Sequence, residues 1–349
     1  MIKRILYGMG LLVLVGALIA VGAIVWAQSG TMPDEAYATL TTYDAPEPAP
    51  NDTLAVMAYN IGYLSGMTNN QPVARPESLF TRNMETVVGM LQASDSDIIG
   101  LQEIDFGAAR SYRVHQLDTL GVQAAYPFGA QAVNWDVRYL PFPSDDPAFH
   151  FGNVRSGQAV LSRYPIVSHR RITLQRTSRP FWNDAFYLDR LAQVTEVAVG
   201  TDTLTVINVH LEAFEEQTRE MQAVEVRQVV QEAFGRGERA TRPVLLIGDF
   251  NSVPPVARDV LPRDERTAFA TDDTLPLLLD GLPLQSAFPD SMYTSDPAAV
   301  ATYPADAPTR PIDHIYYTPA HIRMLDATVL NPPGPPSDHR PIQMRFVLN

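Results

Sequence analysis

A chain of 349 residues with 46% apolar and 9% aromatic content can bury a full core, which excludes a disordered or fibrous protein. Cysteine is absent, and with it disulfides, thiol nucleophiles and thiolate metal sites. The net charge is -13 without a basic block, so no stable nucleic-acid partner is expected, since such binding relies on neutralising many phosphates.

At the N-terminus Lys3, the only lysine, and Arg4 precede an uncharged run from Ile5 to Trp26. At ~1.5 Å per helical residue this run spans ~33 Å, enough to cross a bilayer and longer than the roughly 7 to 15 residues of a signal-peptide core. Residues 1–27 therefore read as a cytoplasmic stub and transmembrane anchor, with the rest of the chain outside the cytoplasm. The alternative is secretion after cleavage near Ala27. Residues 28–50 are polar, end in Asp44-Ala45-Pro46-Glu47-Pro48-Ala49-Pro50 and show no period, so they read as a Pro-rich linker with a mean span of ~27 Å. Residues 51–349 then form one folded domain, expected to be monomeric.

Within that domain Leu54 to Asn60 predicts a strand. Pro76 to Ala93 predicts a helix with Phe80, Met84, Val87, Val88 and Leu91 on one face. Ile98 to Gln102 is a short apolar strand, and similar runs occur at Ala159 to Leu161, Val194 to Val199, Leu204 to Val209, Val244 to Ile247 and Ile312 to Tyr317. A long helix falls around Glu215 to Phe234. Strands outnumber helices, and hairpin neighbours mix with crossovers, which favours an α/β domain with mixed sheets. Polar loops near Ser65 to Gln71, Pro141 to Phe149 and Arg263 to Pro276 are candidates for substrate preference.

Polar residues gather at the ends of the apolar runs, where a strand delivers a side chain to a sheet rim. Asp249 and Asn251 are two apart, so an extended backbone turns both to one side; an isolated Asp-x-Asn is otherwise an ordinary Asx turn. Glu103 follows the strand Ile98 to Gln102, Asn60 ends the first strand, and Asn208 and His210 repeat the two-residue spacing. Near the C-terminus Ser337-Asp338-His339 sits in a proline-bracketed turn, and Pro311-Ile312-Asp313-His314 opens another strand. Asp313 and His314 point to opposite faces of that strand, and Asp313 is taken as the carboxylate that orients His339 and raises its basicity. His115, His150, His169, His314 and His321 have no motif around them and read as surface or loop residues.

Together these segments resemble the endonuclease/exonuclease/phosphatase superfamily, which includes DNase I, abasic-site endonucleases and neutral sphingomyelinases. The resemblance runs in order through Ala58-Tyr59-Asn60, Gln102-Glu103, Ser156 to Arg163, Asn208-Val209-His210-Leu211, Gly248-Asp249-Phe250-Asn251, Ile312-Asp313-His314 and Ser337-Asp338-His339. It implies a DNase I-like four-layer α/β sandwich, two packed mixed sheets flanked by helices, with the site at one rim. It also implies that Glu103 is the main Mg²⁺ ligand, with Asn60 and Asp338 nearby. Oxygen ligands without Cys suit Mg²⁺, or Mn²⁺, better than Zn²⁺. By the same resemblance Asp249 positions or deprotonates the attacking water, Asn251 and His210 hold phosphoryl oxygens, and His339, oriented by Asp313, completes proton transfer. A histidine at 210, where abasic-site endonucleases carry tyrosine, tilts the reading away from DNA repair. Arg190 is a candidate substrate contact. The activity expected is metal-dependent hydrolysis of lipid-headgroup or small phosphoesters by a membrane-tethered enzyme; a nuclease and an inactive surface binding module are the alternatives.

Overall fold

A computed structural model of the chain describes residues 2–46, 51–177, 184–235 and 242–349. Seven strands form one sheet, in the order β1 (Ala38–Thr42), β4 (Phe128–Leu140), β5 (Gly152–Ser162), β3 (Ile98–Asp105), β2 (Leu54–Asn60), β13 (Ile342–Leu348) and β12 (Ile322–Val329). Six form the other, in the order β10 (Gln285–Ser286), β11 (Asp313–Tyr317), β9 (Val244–Asp249), β8 (Asp202–His210), β7 (Leu191–Val199) and β6 (Ile166–Thr173). Both sheets are mixed, since β2 runs parallel to β3 and β8 parallel to β9 while the other pairs are antiparallel.

The layering follows from the two-residue period of a strand. In β2, Leu54, Val56 and Ala58 enter the core between the sheets, while Met57 and Tyr59 pack outward with Phe80, Met84, Val87 and Leu91 of helix α2 (Glu77–Ser94). Two sheets therefore lie face to face, and α2 and α3 (Gln116–Gln123) cover the first. On the second sheet Ala192, Val194, Ile207, Val209 and Leu246 pack outward with Val226 and Val230 of α4 (Glu216–Ala233). The four-layer sandwich expected from the sequence is the one observed.

The same period positions the chemistry. Asn60, His210, Asp249 and Asp313 share the parity of Ala58, Val206, Ile247 and Ile315, all of which face the inter-sheet core. Each is the end residue of its strand. Four polar side chains thus reach one rim of the gap between the sheets, where an apolar packing partner is no longer demanded.

The long apolar helix α1 (Ile2–Gln28) projects with its side chains exposed, and among the described residues it is the one helix long and apolar enough to cross a membrane. The segment after it is not the featureless linker expected at 28–50. Ala38–Thr42 adds β1 to the edge of the first sheet, paired with residues 128–132 of β4. The Asp136 carboxylate accepts from the Thr31 N–H at 2.6 Å, the Thr31 hydroxyl at 2.8 Å and the Met32 N–H at 2.8 Å, while the Arg138 N–H and Nε donate to the Ser29 carbonyl and hydroxyl at 3.2 and 2.8 Å. Backbone pairing was hidden because Ala38-Thr39-Leu40-Thr41-Thr42 is a short edge strand, half exposed, with one large apolar side chain. Residues 47–50 lie outside the described residues. Asp136→Ala is expected to cost about 1 kcal/mol by removing three hydrogen bonds to a carboxylate that water can partly replace, read as faster proteolysis within residues 29–46; cleavage at the wild-type rate would show that the segment holds without the cap.

Candidate active site

Asp249 is at the centre. β9 lies between β8 and β11, and the register sets Asp249 opposite His210 on one side and Asp313 on the other. Gly248 allows this: its φ is +136° and a Cβ there would lie 2.0 Å from the Val209 carbonyl, so a side chain would force β8 and β9 apart. Asp249 Oδ2 accepts from Asn60 Nδ2 at 2.9 Å and lies 3.5 Å from His210 Nε2 and 3.7 Å from His339 Nε2. Burial pushes the Asp249 carboxyl up to about 7, against the pull of the His339 charge.

His339 is buried against Tyr303, with ring centroids 4.8 Å apart, and its Nδ1–H donates to Asp313 Oδ2 at 2.9 Å. Burial works to lower its pKa, but Asp313 and then Asp249 overcome this and hold it at about 10, so the ring is cationic at neutral pH. Asp313 and His314 do point to opposite faces. His314, expected at the surface, is instead buried on the outer face, edge-on to Phe250 with Nε2 at 3.0 Å from the Ser252 carbonyl, and burial lowers it to about 4.

Asn251 reaches the site by a different route from the expected extended backbone. β9 stops at Asp249, Asn251 takes φ +49°, and its N–H donates to Asp249 Oδ1 at 2.9 Å while its side-chain amide donates to the Leu211 carbonyl at 3.0 Å. The Asx turn is therefore real, and it is part of the site. Glu103 is likewise not a strand end. It lies within β3, where the register with β5 slips between Leu101 and Ile104 and Glu103 adopts φ +50°. Parity alone would have sent it outward with Leu101; the bulge re-aims it to the rim.

Glu103 and Asp338 form a second half of the site. Asn69 Nδ2 donates to Glu103 Oε2 at 2.8 Å and lies 3.3 Å from both Asp338 oxygens, so one amide ties two carboxylates together. Burial first, and then the Asp338 charge, hold Glu103 above the usual carboxylate range. Two close anions sharing a neutral donor are the environment a divalent cation relieves, and an all-oxygen set of Glu103, Asp338 and Asn60 suits Mg²⁺. Asp249, Asp313 and His339 also offer ligand atoms within 4.8 Å of one another. There His339 Nδ1 is taken up by Asp313 Oδ2 while Asp313 Oδ1 is left without a partner; we read that cluster as the proton-handling half because its imidazole is already committed to Asp313. Asn69 sits in the loop Ser65 to Gln71 and carried no motif signal; a polar loop beside a strand-end carboxylate was the only hint. Asn69→Ala is expected to lower Mg²⁺ affinity on the order of 10-fold to 100-fold by freeing Glu103; unchanged metal titration would remove Asn69 from the site.

Arg190 is buried, and its Nη1 donates to His210 Nε2 at 2.7 Å. Since guanidinium cannot accept, His210 is neutral with its proton on Nδ1; burial and the Arg190 charge keep its pKa well below the usual value. Arg190 also lies 3.5 Å from Glu212, a residue without a sequence signal.

Two packed mixed sheets between helices, with carboxylates, amides and histidines at one rim, define a DNase I-like fold. The sequence model of the endonuclease/exonuclease/phosphatase family matches residues 57–339, and the chain belongs to that family of phosphoester hydrolases. Among solved structures it is similar to an endonuclease/exonuclease/phosphatase from Beutenbergia cavernae, at 19% identity over 86% of this chain and 72% of that one with a TM-score of 0.58. It is similar to the human Nocturnin catalytic domain with bound sulfate anion, at 19% identity over 91% and 100% of the two chains and a TM-score of 0.55. A mannosyl-6-phosphatase from Bacteroides thetaiotaomicron aligns at 20% identity over 84% and 99%, with a TM-score of 0.54. At these identities the likeness is one of fold. No curated protein matches the sequence.

Proposed function

We propose that the protein is a Mg²⁺-dependent phosphoester hydrolase, exported and membrane-anchored through α1, acting as a monomer on lipid headgroups or small phosphoesters. The observation that carries this reading is the division of one rim into an anionic pair, Glu103 with Asp338, and a carboxylate–imidazole relay, Asp249 with His339 and Asp313. Glu103, Asp338 and Asn60 would hold the cation, which supplies charge neutralisation at the phosphoryl oxygens when bound. Asp249 takes a proton from water as the water oxygen bonds to phosphorus. As the bond from phosphorus to the leaving oxygen breaks, cationic His339 gives that oxygen its proton from Nε2. Arg190, steered by His210, faces the phosphoryl group, and Asn251 fixes the Asp249 carboxylate through its own N–H.

The net charge of -13 supports a substrate other than a long polyanion, so no stable nucleic-acid partner belongs to this reading. A panel of phosphomonoesters, phosphodiesters, phospholipids and plasmid DNA, run with Mg²⁺ or Mn²⁺ and with EDTA, tests it. EDTA-sensitive cleavage of small or lipid phosphoesters is the expected result. Plasmid nicking far above every other rate would make the protein a nuclease, and no turnover with either metal would leave a binding module.

A further inference from the structure

Beside Glu103 and Arg190 the rim opens into a cavity of about 530 Å³ that the hydrolytic machinery does not explain. Its walls are mostly apolar: Trp135 and Leu140 of β4, Phe142 beyond it, Phe186 and Leu188 ahead of β7, and Phe214 after β8. Trp135 and Leu140 belong with Phe151 and Val154 to a small core of their own, on which Phe186 and Leu188 rest. Two of its polar groups are committed elsewhere, the Trp135 indole N–H donating to the Phe186 carbonyl at 3.0 Å and the Tyr187 hydroxyl to Glu212 at 2.6 Å, while Asn70 joins Glu103 and Arg190 as its polar lining. Two rings at the mouth face solvent, Phe214 at 82% exposure and Phe142 at 40%. A polar leaving group would find little here to replace its hydration, whereas a hydrocarbon chain would be desolvated against aromatic and leucine side chains.

The position of the anchor says where such a chain comes from. Residues just after α1 are fastened to β4 beside this wall, Thr31 to Asp136 and Ser29 to Arg138. From Arg138 to Leu140 is ~7 Å along a strand. With α1 in a bilayer, the cavity mouth is held within reach of the headgroup layer by a short, hydrogen-bonded connection.

We propose that this cavity takes the apolar chain of an amphiphilic phosphoester lying in the same bilayer as α1, its phosphoryl group reaching Glu103 and Asp249. The proposal rests on the hydrolase reading above and on retention of α1. The full chain, reconstituted in phosphatidylcholine vesicles with Mg²⁺, would be assayed on the methyl, butyl and octyl 4-nitrophenyl phosphodiesters. Each methylene buried should raise kcat/KM about three- to fourfold. The double variant Phe142→Ser, Phe214→Ser should cut the octyl-to-methyl ratio at least about tenfold. A flat series overturns the proposal, and so does a rise that the variant leaves intact, because partitioning into the vesicle would then account for it. If even the methyl ester is not cleaved, the hydrolase reading falls. Octyl phosphate binding, followed by calorimetry in both proteins, then decides the cavity: binding lost in the variant sustains it, and equal or absent binding sinks it.

Discussion

Replacing His339 by alanine is expected to lower kcat by about three orders of magnitude while the protein stays folded. The side chain is buried on Tyr303 at the rim, beyond the apolar faces that join the two sheets, so its loss costs local packing and leaves those faces intact. What is lost is, among the described residues, the one cation hydrogen-bonded to Asp313 and adjacent to Asp249. The pH profile carries the same signature. Activity of the wild type should rise through about pH 7 as Asp249 becomes a base and fall towards about pH 10 as His339 gives up its proton. His339→Ala should lose the falling limb. The sign for stability also follows: a histidine held at about 10 against 6.5 unfolded stabilises the fold fully below pH 6.5 and loses that contribution as pH rises to about 10. Wild-type stability should therefore decline across that window more than that of the variant. A near-wild-type kcat in His339→Ala would refute the relay.

Glu103→Gln is expected to do two opposite things, abolishing turnover by about three orders of magnitude or more while raising the Tm of the metal-free protein. The amide is close to isosteric, its oxygen can still accept from Asn69, and it removes one of two close, partly buried anions, where desolvation and then the Asp338 charge hold Glu103 above its ordinary range. Addition of Mg²⁺ should raise the Tm of the wild type and leave that of the variant nearly unchanged, since the binding free energy has lost its main ligand. A full Mg²⁺-induced shift in Glu103→Gln would move the metal elsewhere, with Asp249, Asp313 and His339 the next cluster to test.

Much of this arrangement was legible before any coordinates, because burial on both faces writes itself as continuous apolar runs. β2, β8 and β9 were bounded within two residues, and α2 and α4 within one. The strands that stayed hidden, β4 and β12 among them, mix polar and apolar residues: β4 buries Gln131 and Asn134, and β12 is exposed along one side. Strand-end parity found Asn60, His210, Asp249 and Asp313. It failed at Glu103 and Asn251, where backbone in the left-handed region replaces parity and where only the family resemblance placed them. Asn69 and the aromatic cavity were out of reach, since both depend on loops brought together across the fold.

His210, Asp249 and Asp313 occupy a single rung that crosses β8, β9 and β11. Their spacing is thus a property of the sheet's ladder and is as quantised as the ladder itself: a slip of one residue would carry a carboxylate to the opposite face, with no intermediate setting. Heating should accordingly extinguish catalysis and sheet signal at the same midpoint, without a warm, folded and gradually detuned enzyme in between.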